Sequence, residues 1–245
     1  MGYTFYGDLL GISGMYKLSP GLAKEKLSEF YSITFRNVDE QWTLNSDSQI
    51  MMFSDSFLMR GSNEESALLK LGLLYLKLLD QGLLLRGAIV DGALGFEPRL
   101  ERNNFEKFLP NDDTLARAVG LESTHKGARL LIESALAVRL LQEFPSWQSA
   151  DGYVREPQPL NSNLKYESPL RRIAPTPEGY CYEYLYFWDP EQYLNQQATD
   201  YDTKRRELEE IQKMLKEDVS VHYKETVSLL KRCRARDVLT NKMAF

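Results

Sequence analysis

Cysteine and histidine are scarce, with two of each among 245 residues. Cys181 and Cys233 fit neither a CxxC nor a zinc spacing, which argues against a zinc ribbon or a disulfide framework and suits two free thiols in a reducing cytoplasm. His125 and His222 are equally isolated, with no zinc or general-base pattern around them, and are expected at the surface. Long apolar runs are missing too. Leu68–Leu85 comes nearest to the ~18 residues that a membrane-spanning helix needs, but Lys70, Lys77, Asp80 and Gln81 interrupt it. The opening MGYTFYGDLLGIS lacks a basic segment, and Gly7 and Asp8 break its apolar stretch, so no signal peptide is expected. There is no basic excess: 30 Lys and Arg stand against 35 Asp and Glu, for a net charge of −5, which disfavours non-specific binding to nucleic acid or to an anionic membrane. Internal repeats and low-complexity tracts are absent.

What is present reads as an ordinary globular chain, 43% hydrophobic and 27% charged, long enough for one large domain or a domain with an extension. Tyr3–Leu10 reads as a strand ending in a tight Gly11/Gly14 turn. Ser19-Pro20 reads as an N-cap and first helical residue, opening a helix to about Asn37 that buries Leu22, Leu27, Phe30 and Tyr31. Gln49–Phe53 and Phe57–Arg60 read as a hairpin. Glu64–Gln81 has helical apolar spacing at Leu68, Leu71, Leu74 and Leu78, and Leu83–Val90 is a buried strand running into Asp91-Gly92. A helix from Asn111 to Glu122, with Asp112 and Asp113 in its first turn, a strand at Ala128–Ile132 and a helix at Glu133–Phe144 follow. This order predicts an α+β sheet with helices on one face, resembling the ferredoxin-like arrangement. Beyond Pro145 the character changes. Trp147–Pro177 reads as an irregular surface loop, YCYEYLYFW (Tyr180–Trp188) as an aromatic strand, and Tyr201 to about Asp237 as one long charged helix. The expected division is residues 1–145 and a C-terminal extension over 146–245.

Two isolated acids stand out. Asp8 ends an apolar strand in FYGDLLGIS, and Asp55 sits in the turn of an apolar hairpin in MMFSDSFL. Acids in such places cost desolvation free energy unless a cation meets them. Mg²⁺ prefers one or two carboxylates together with substrate phosphates, and two metals held by two carboxylates can activate a hydroxyl and neutralise a triphosphate. The plainer reading of each acid is a turn residue. Leu9-Leu10-Gly11-Ile12 can offer backbone N–H groups to phosphates or simply make a tight turn. Arg86, inside the apolar LLLRGAIVDG, needs a partner: a triphosphate, a shared-site carboxylate, or an ion pair with Asp91 or Glu122. Tyr6, Phe53 and Phe57 can stack on a base or fill a core. Arg102 and Lys107 lie in a polar loop.

The segments FYGDLLGIS, SQIMMFSDSFLMRG, GLLLRGAIVDGAL and LARAVGLES…KGARLLIE, in that order, resemble the class III nucleotidyl cyclase homology domain. In wording they are closest to the bacterial Pycsar-type pyrimidine cyclases of anti-phage defence. The resemblance covers Tyr3 to Glu133. It implies that Asp8 and Asp55 bind two divalent ions, Mn²⁺ or Mg²⁺, with the Leu9 carbonyl as a backbone ligand, and that Leu10, Gly11 and Ile12 receive phosphates. It also implies a head-to-tail homodimer with shared sites.

Departures from the family pattern refine the expectation. Purine-specific members carry a Lys four residues before the second metal Asp, where this chain has Met51, which cannot make that charged hydrogen bond. A purine cyclase is therefore disfavoured and a pyrimidine substrate allowed, UTP on the resemblance alone, with CTP as the alternative. The family's transition-state Asn and Arg fall on Ala116 and Gly120, leaving Arg117, one residue off, as the candidate for the missing charge. The expectation is thus a uridylate cyclase with Asp8, Asp55 and Arg117 catalytic and with Leu10, Gly11, Ile12, Met51, Phe53 and Arg86 at the substrate. Its cyclic product would act on a separate effector. The rival from another class is an inactive cyclase-fold nucleotide-binding regulator, motivated by the missing pair. A diguanylate-type cyclase ranks low, because FSDSF lacks a GG(D/E)EF-like turn.

Overall fold

The structure, a computed structural model, describes residues 2–41, 48–96, 109–144, 170–176, 179–185, 201–214 and 217–242. In chain order its elements are β1 (Tyr3–Leu9), α1 (Ile12–Leu18), α2 (Pro20–Gln41), β2 (Gln49–Phe53), β3 (Ser56–Gly61), α3 (Glu64–Asp80) and β4 (Leu85–Asp91). Then come α4 (Thr114–Ser123), β5 (Leu130–Ile132), α5 (Ser134–Glu143), β6 (Leu170–Thr176), β7 (Gly179–Tyr184), α6 (Tyr201–Met214) and α7 (Glu217–Lys242). The strands form one seven-stranded sheet in the order β2-β3-β1-β4-β5-β7-β6, parallel only between β4 and β5. This is the α+β arrangement, a mixed and mostly antiparallel sheet with helices, that the sequence pattern predicts.

The period of two along the strands sorts side chains onto two faces. Tyr3, Phe5, Leu9, Phe57, Met59 and Ile89 enter the core beneath α3, whose Leu68, Leu71, Leu74 and Leu78 are fully buried at the predicted spacing. Gly7 and Gly87 face each other in register, and a Cβ on either would come within 2.7 or 2.5 Å of the Phe5 ring. The absence of side chains at this pair gives that ring its room. Thr4, Tyr6 and Asp8 point to the opposite face, against which α4 packs through its buried Ala118 and Glu122, so helices cover both faces of the sheet and not the one face expected.

Several details depart from the sequence reading. The Gly11/Gly14 segment is not only a turn: Gly11, at φ +90°, opens the short helix α1. Ser19 ends α1 and then accepts from Leu22 N–H at 3.4 Å, so it caps α2 as expected. The buried face of α2 is Ala23, Phe30, Thr34 and Asn37, whereas Leu22 and Tyr31 are exposed; two polar side chains occupy the inner stripe, which a count of apolar spacing passes over. Part of the supposed loop is the strand β6. The aromatic strand is interior, because β7 lies between β5 and β6; its Cys181, Tyr182, Glu183 and Tyr184 are buried, as is the following Leu185. Cys181 is a free thiol whose pKa burial pushes up to about 11, so it is unreactive at neutral pH. The long C-terminal helix is two helices, α6 and α7, packed on one another, with Leu208, Val227, Leu229 and Leu230 in the core. Arg102, Lys107 and Trp188 lie outside the described residues. No helix among those described is long and apolar enough to cross a membrane.

Candidate active site

Antiparallel registration places Phe53 opposite Ser56, Ser56 opposite Asp8, and Asp8 opposite Arg86. Directly opposed residues share a face, so these four form a row across β2, β3, β1 and β4 on the α4 side of the sheet. The next row back is Met51, Leu58, Tyr6 and Ala88. Asp55 stands in the β2–β3 turn at the end of the first row. Its carbonyl accepts from Leu9 N–H at 3.0 Å, which stitches the hairpin turn to the end of β1. Ser54, at φ 54°, lets the chain reverse tightly there. Leu10 N–H donates to the Leu84 carbonyl at 2.8 Å, and the Leu10-Gly11 turn delivers buried Ile12 into the core at the start of α1.

Asp8, Leu9, Leu10, Gly11, Ile12, Asp55, Phe53 and Arg86 therefore gather at one end of the sheet, with Met51 one row away on the same face. Phe53 is 83% exposed and free to meet a planar ligand. Arg86 has its Nε bound to buried Glu122 of α4, which resolves one of the alternatives left by the sequence. Arg117 is not in this group. It stands on α4 beside Asp91, which is five residues beyond Arg86 on β4, roughly 17 Å at ~3.3 Å per residue. There it pairs with Glu133 and Asp113, donates to the Asp91 carbonyl at 2.8 Å, and borders a separate cavity of about 470 Å³. The outer surface of α4 bears exposed Ala116, Val119 and Gly120.

Electrostatics single out Asp8. Burial first, then the Asp55 and Glu122 carboxylates, lift its pKa from 3.8 to about 6, against the opposing pull of Arg86 and of the Ser56 hydroxyl, which donates at 3.4 Å. Burial raises Glu122 as well, with Arg86 opposing it. A strained carboxylate beside a second one, both bearing hard oxygen donors, is the chemistry that a divalent cation relieves. Among the described residues no cluster of three or more His, Cys, Asp and Glu side chains offers a closed metal cage.

The raised Asp8 pKa has a signed consequence. Between about pH 4 and pH 6 the folded chain holds a proton that the unfolded chain releases, so stability falls as pH rises through this window. Asp8→Asn removes that loss. Discounted for partial exposure, it is expected to stabilise the chain by about 1 kcal/mol at neutral pH, or 2–4 °C in Tm, and by nothing at about pH 4. Added Mn²⁺ is expected to raise the Tm of the parent and not that of the variant. Calorimetric scans at both pH values, with and without Mn²⁺, check both statements.

The sequence names Glu122 only as a possible ion-pair partner of Arg86, and does not place His222 in this region. Glu122 carried a signal, since a buried arginine requires an acid. His222 carried none: it is half-buried rather than at the surface, and its Nδ1 accepts from Gly127 N–H at 3.3 Å.

No family model matches the chain, and no curated protein matches it. Solved structures do resemble it. An adenylate cyclase from Trypanosoma brucei in its monomeric state is similar over 76% of this chain and 89% of its own, at 12% identity and a TM-score of 0.53. A bacterial light-regulated adenylyl cyclase is similar over 79% of this chain and 92% of its own, at 13% identity and a TM-score of 0.53. A dimeric guanylyl cyclase domain from the aquatic fungus Blastocladiella emersonii is similar over 75% of this chain and 95% of its own, at 8% identity and a TM-score of 0.50. Likeness at such identities establishes architecture, and the conclusion it supports is that this chain has the fold of adenylyl and guanylyl cyclase domains.

Proposed function

We propose that the chain is a pyrimidine nucleotide cyclase that converts UTP to 3′,5′-cyclic UMP and pyrophosphate, with CTP as the alternative substrate. The observation that carries this reading is the convergence of Asp8 and Asp55 at the Leu10-Gly11 turn, on a cyclase fold. Asp8, Asp55 and the Leu9 carbonyl would hold Mn²⁺ or Mg²⁺, which when bound lowers the pKa of the ribose 3′-hydroxyl and neutralises the triphosphate. The Leu10–Ile12 backbone would position phosphates, and the Arg86 guanidinium would add positive charge on the same face. Phe53, exposed in the same row as Asp8, would stack on the base. Met51, where purine cyclases carry a Lys, favours a pyrimidine. Catalysis would rest on alignment for in-line attack at the α-phosphorus and on charge neutralisation. A homodimer would complete each site with the α4 surface of the other copy. The product would signal to a separate effector in defence against phage.

A second reading has a specific observation in its favour. The outer face of α4 offers no donor at Ala116 or Gly120, and Arg117 is engaged by Glu133 and Asp113. An inactive nucleotide-binding regulator would look like this. Incubation with each of the four NTPs and Mn²⁺, with chromatographic identification of products, separates the readings. Cyclic UMP or cyclic CMP is the expected product. Calorimetric binding of UTP without turnover would favour the regulator, and neither binding nor turnover would refute both.

A further inference from the structure

The C-terminal helix α7 docks on the turn that leads from α4 into β5. Thr226 Oγ1 accepts from Ala128 N–H at 2.9 Å and donates to the His222 carbonyl at 2.8 Å. His222 Nδ1 accepts from Gly127 N–H. Glu225 pairs with Arg129, whose Nε donates to the Lys126 carbonyl at 2.8 Å. The fit leaves no gap: Gly127 sits at φ +95°, and a Cβ on it would lie 2.9 Å from the Glu225 Cβ and 3.0 Å from the Thr226 nitrogen. One face of α7, at i, i+3 and i+4, therefore grips three consecutive residues, Gly127 to Arg129, and Arg129 in turn holds the Lys126 carbonyl.

The other end of the same turn is the last turn of α4. It carries Glu122, which is 3% exposed and binds Arg86 Nε, and Arg86 is the register partner of Asp8. No further hydrogen bond from this guanidinium is formed within the described residues, so its two terminal nitrogens are available to an anion. Burial first, then the charges of Arg86 and Lys126, hold His222 of α7 below the ordinary imidazole pKa.

We propose that α7 is a positioning element of the candidate active site: through residues 126–129 it fixes Glu122, and Glu122 aims the Arg86 guanidinium at the nucleotide phosphates. Thr226 and Glu122 are positioning residues in this scheme. The inference rests on the reading of the Asp8 and Asp55 region as a nucleotide site. It gives the segment after residue 200 a role in substrate binding although it touches no substrate.

The test uses the full chain. Thr226→Val keeps the shape and removes the acceptor for Ala128 N–H. It is expected to raise the KM for UTP with Mn²⁺ by about three- to tenfold while kcat stays within about twofold, and Thr226→Ser is expected to restore the parental KM. In an Arg86→Gln background, Thr226→Val is expected to change KM by less than about twofold, because its effect passes through Arg86. Amide hydrogen exchange supplies a readout independent of turnover: Thr226→Val is expected to speed exchange at 120–132 and 85–87. Additive KM effects in the two backgrounds, or faster exchange confined to 201–242, would overturn the inference. If the parent makes no cyclic nucleotide, the proposed reaction falls, and the exchange pattern alone decides whether α7 holds the Glu122–Arg86 segment.

Discussion

Asp55→Ala is expected to lower the rate of cyclic nucleotide formation by at least about a thousandfold, or roughly 4 kcal/mol of transition-state stabilisation, with the fold intact. The two halves of this expectation have different origins. Asp55 sits partly exposed in the β2–β3 turn, and the contact it makes with β1, the Leu9 N–H bond, uses its backbone carbonyl, which alanine keeps. Its side chain also repels Asp8. Removing it should therefore leave Tm unchanged or slightly raised, and should let the Asp8 pKa relax toward its ordinary value. The loss of rate follows from halving the carboxylate set that would hold divalent ions. Initial rates of product formation, measured beside a melting curve for the same sample, check both. Loss of rate accompanied by loss of fold would instead make Asp55 a structural residue.

Arg129→Ala is expected to cost about 3–5 kcal/mol of stability, on the order of 10 °C in Tm for a chain of this length. Arg129 lies at the entry to β5 and is nearly buried. It meets Glu183 of β7 at 3.1 Å, pairs with Glu225 of α7, and binds the Lys126 carbonyl. Glu183 is fully buried, and after the substitution it keeps the Arg171 guanidinium at the longer distance of 3.6 Å. A buried carboxylate that loses its closest counter-charge is among the costliest single changes available. The double substitution Arg129→Met with Glu183→Met removes both charges, and is expected to recover most of the loss. Denaturant titration of the three variants measures this. A cost below about 1 kcal/mol for the single change would show that the network carries little of the stability.

How much of this was readable in the sequence depended on the range of the interaction. The leucine spacing of α3 and the apolar run of β4 report directly on burial, and both elements stand where the pattern places them. The acids at 8 and 55 were legible as misfits, since a lone carboxylate beside apolar strands asks for a cation. α1 was obscured because Gly14 breaks the helical pattern of ISGMYKL, and Gly11 suggested a turn that is indeed there but leads on into a helix. β6 was obscured for a different reason. LRRIAPT carries two arginines and a proline, and these are tolerated because it is an edge strand with an irregularity between Arg172 and Pro175. The grip of α7 on the 126–129 turn joins residues almost a hundred positions apart. It depends on a glycine at positive φ, and no local pattern encodes it.

A two-carboxylate cyclase site requires that Asp8 and Asp55 share one cation. Anomalous scattering at the manganese edge, from crystals grown with Mn²⁺ and a non-cyclisable UTP analogue, reads this directly. The expected result is a peak within about 2.0–2.5 Å of an oxygen from each carboxylate, with the analogue's phosphate completing the shell. Manganese bound by the phosphates alone, or at a position that only one of the two carboxylates reaches, would contradict it.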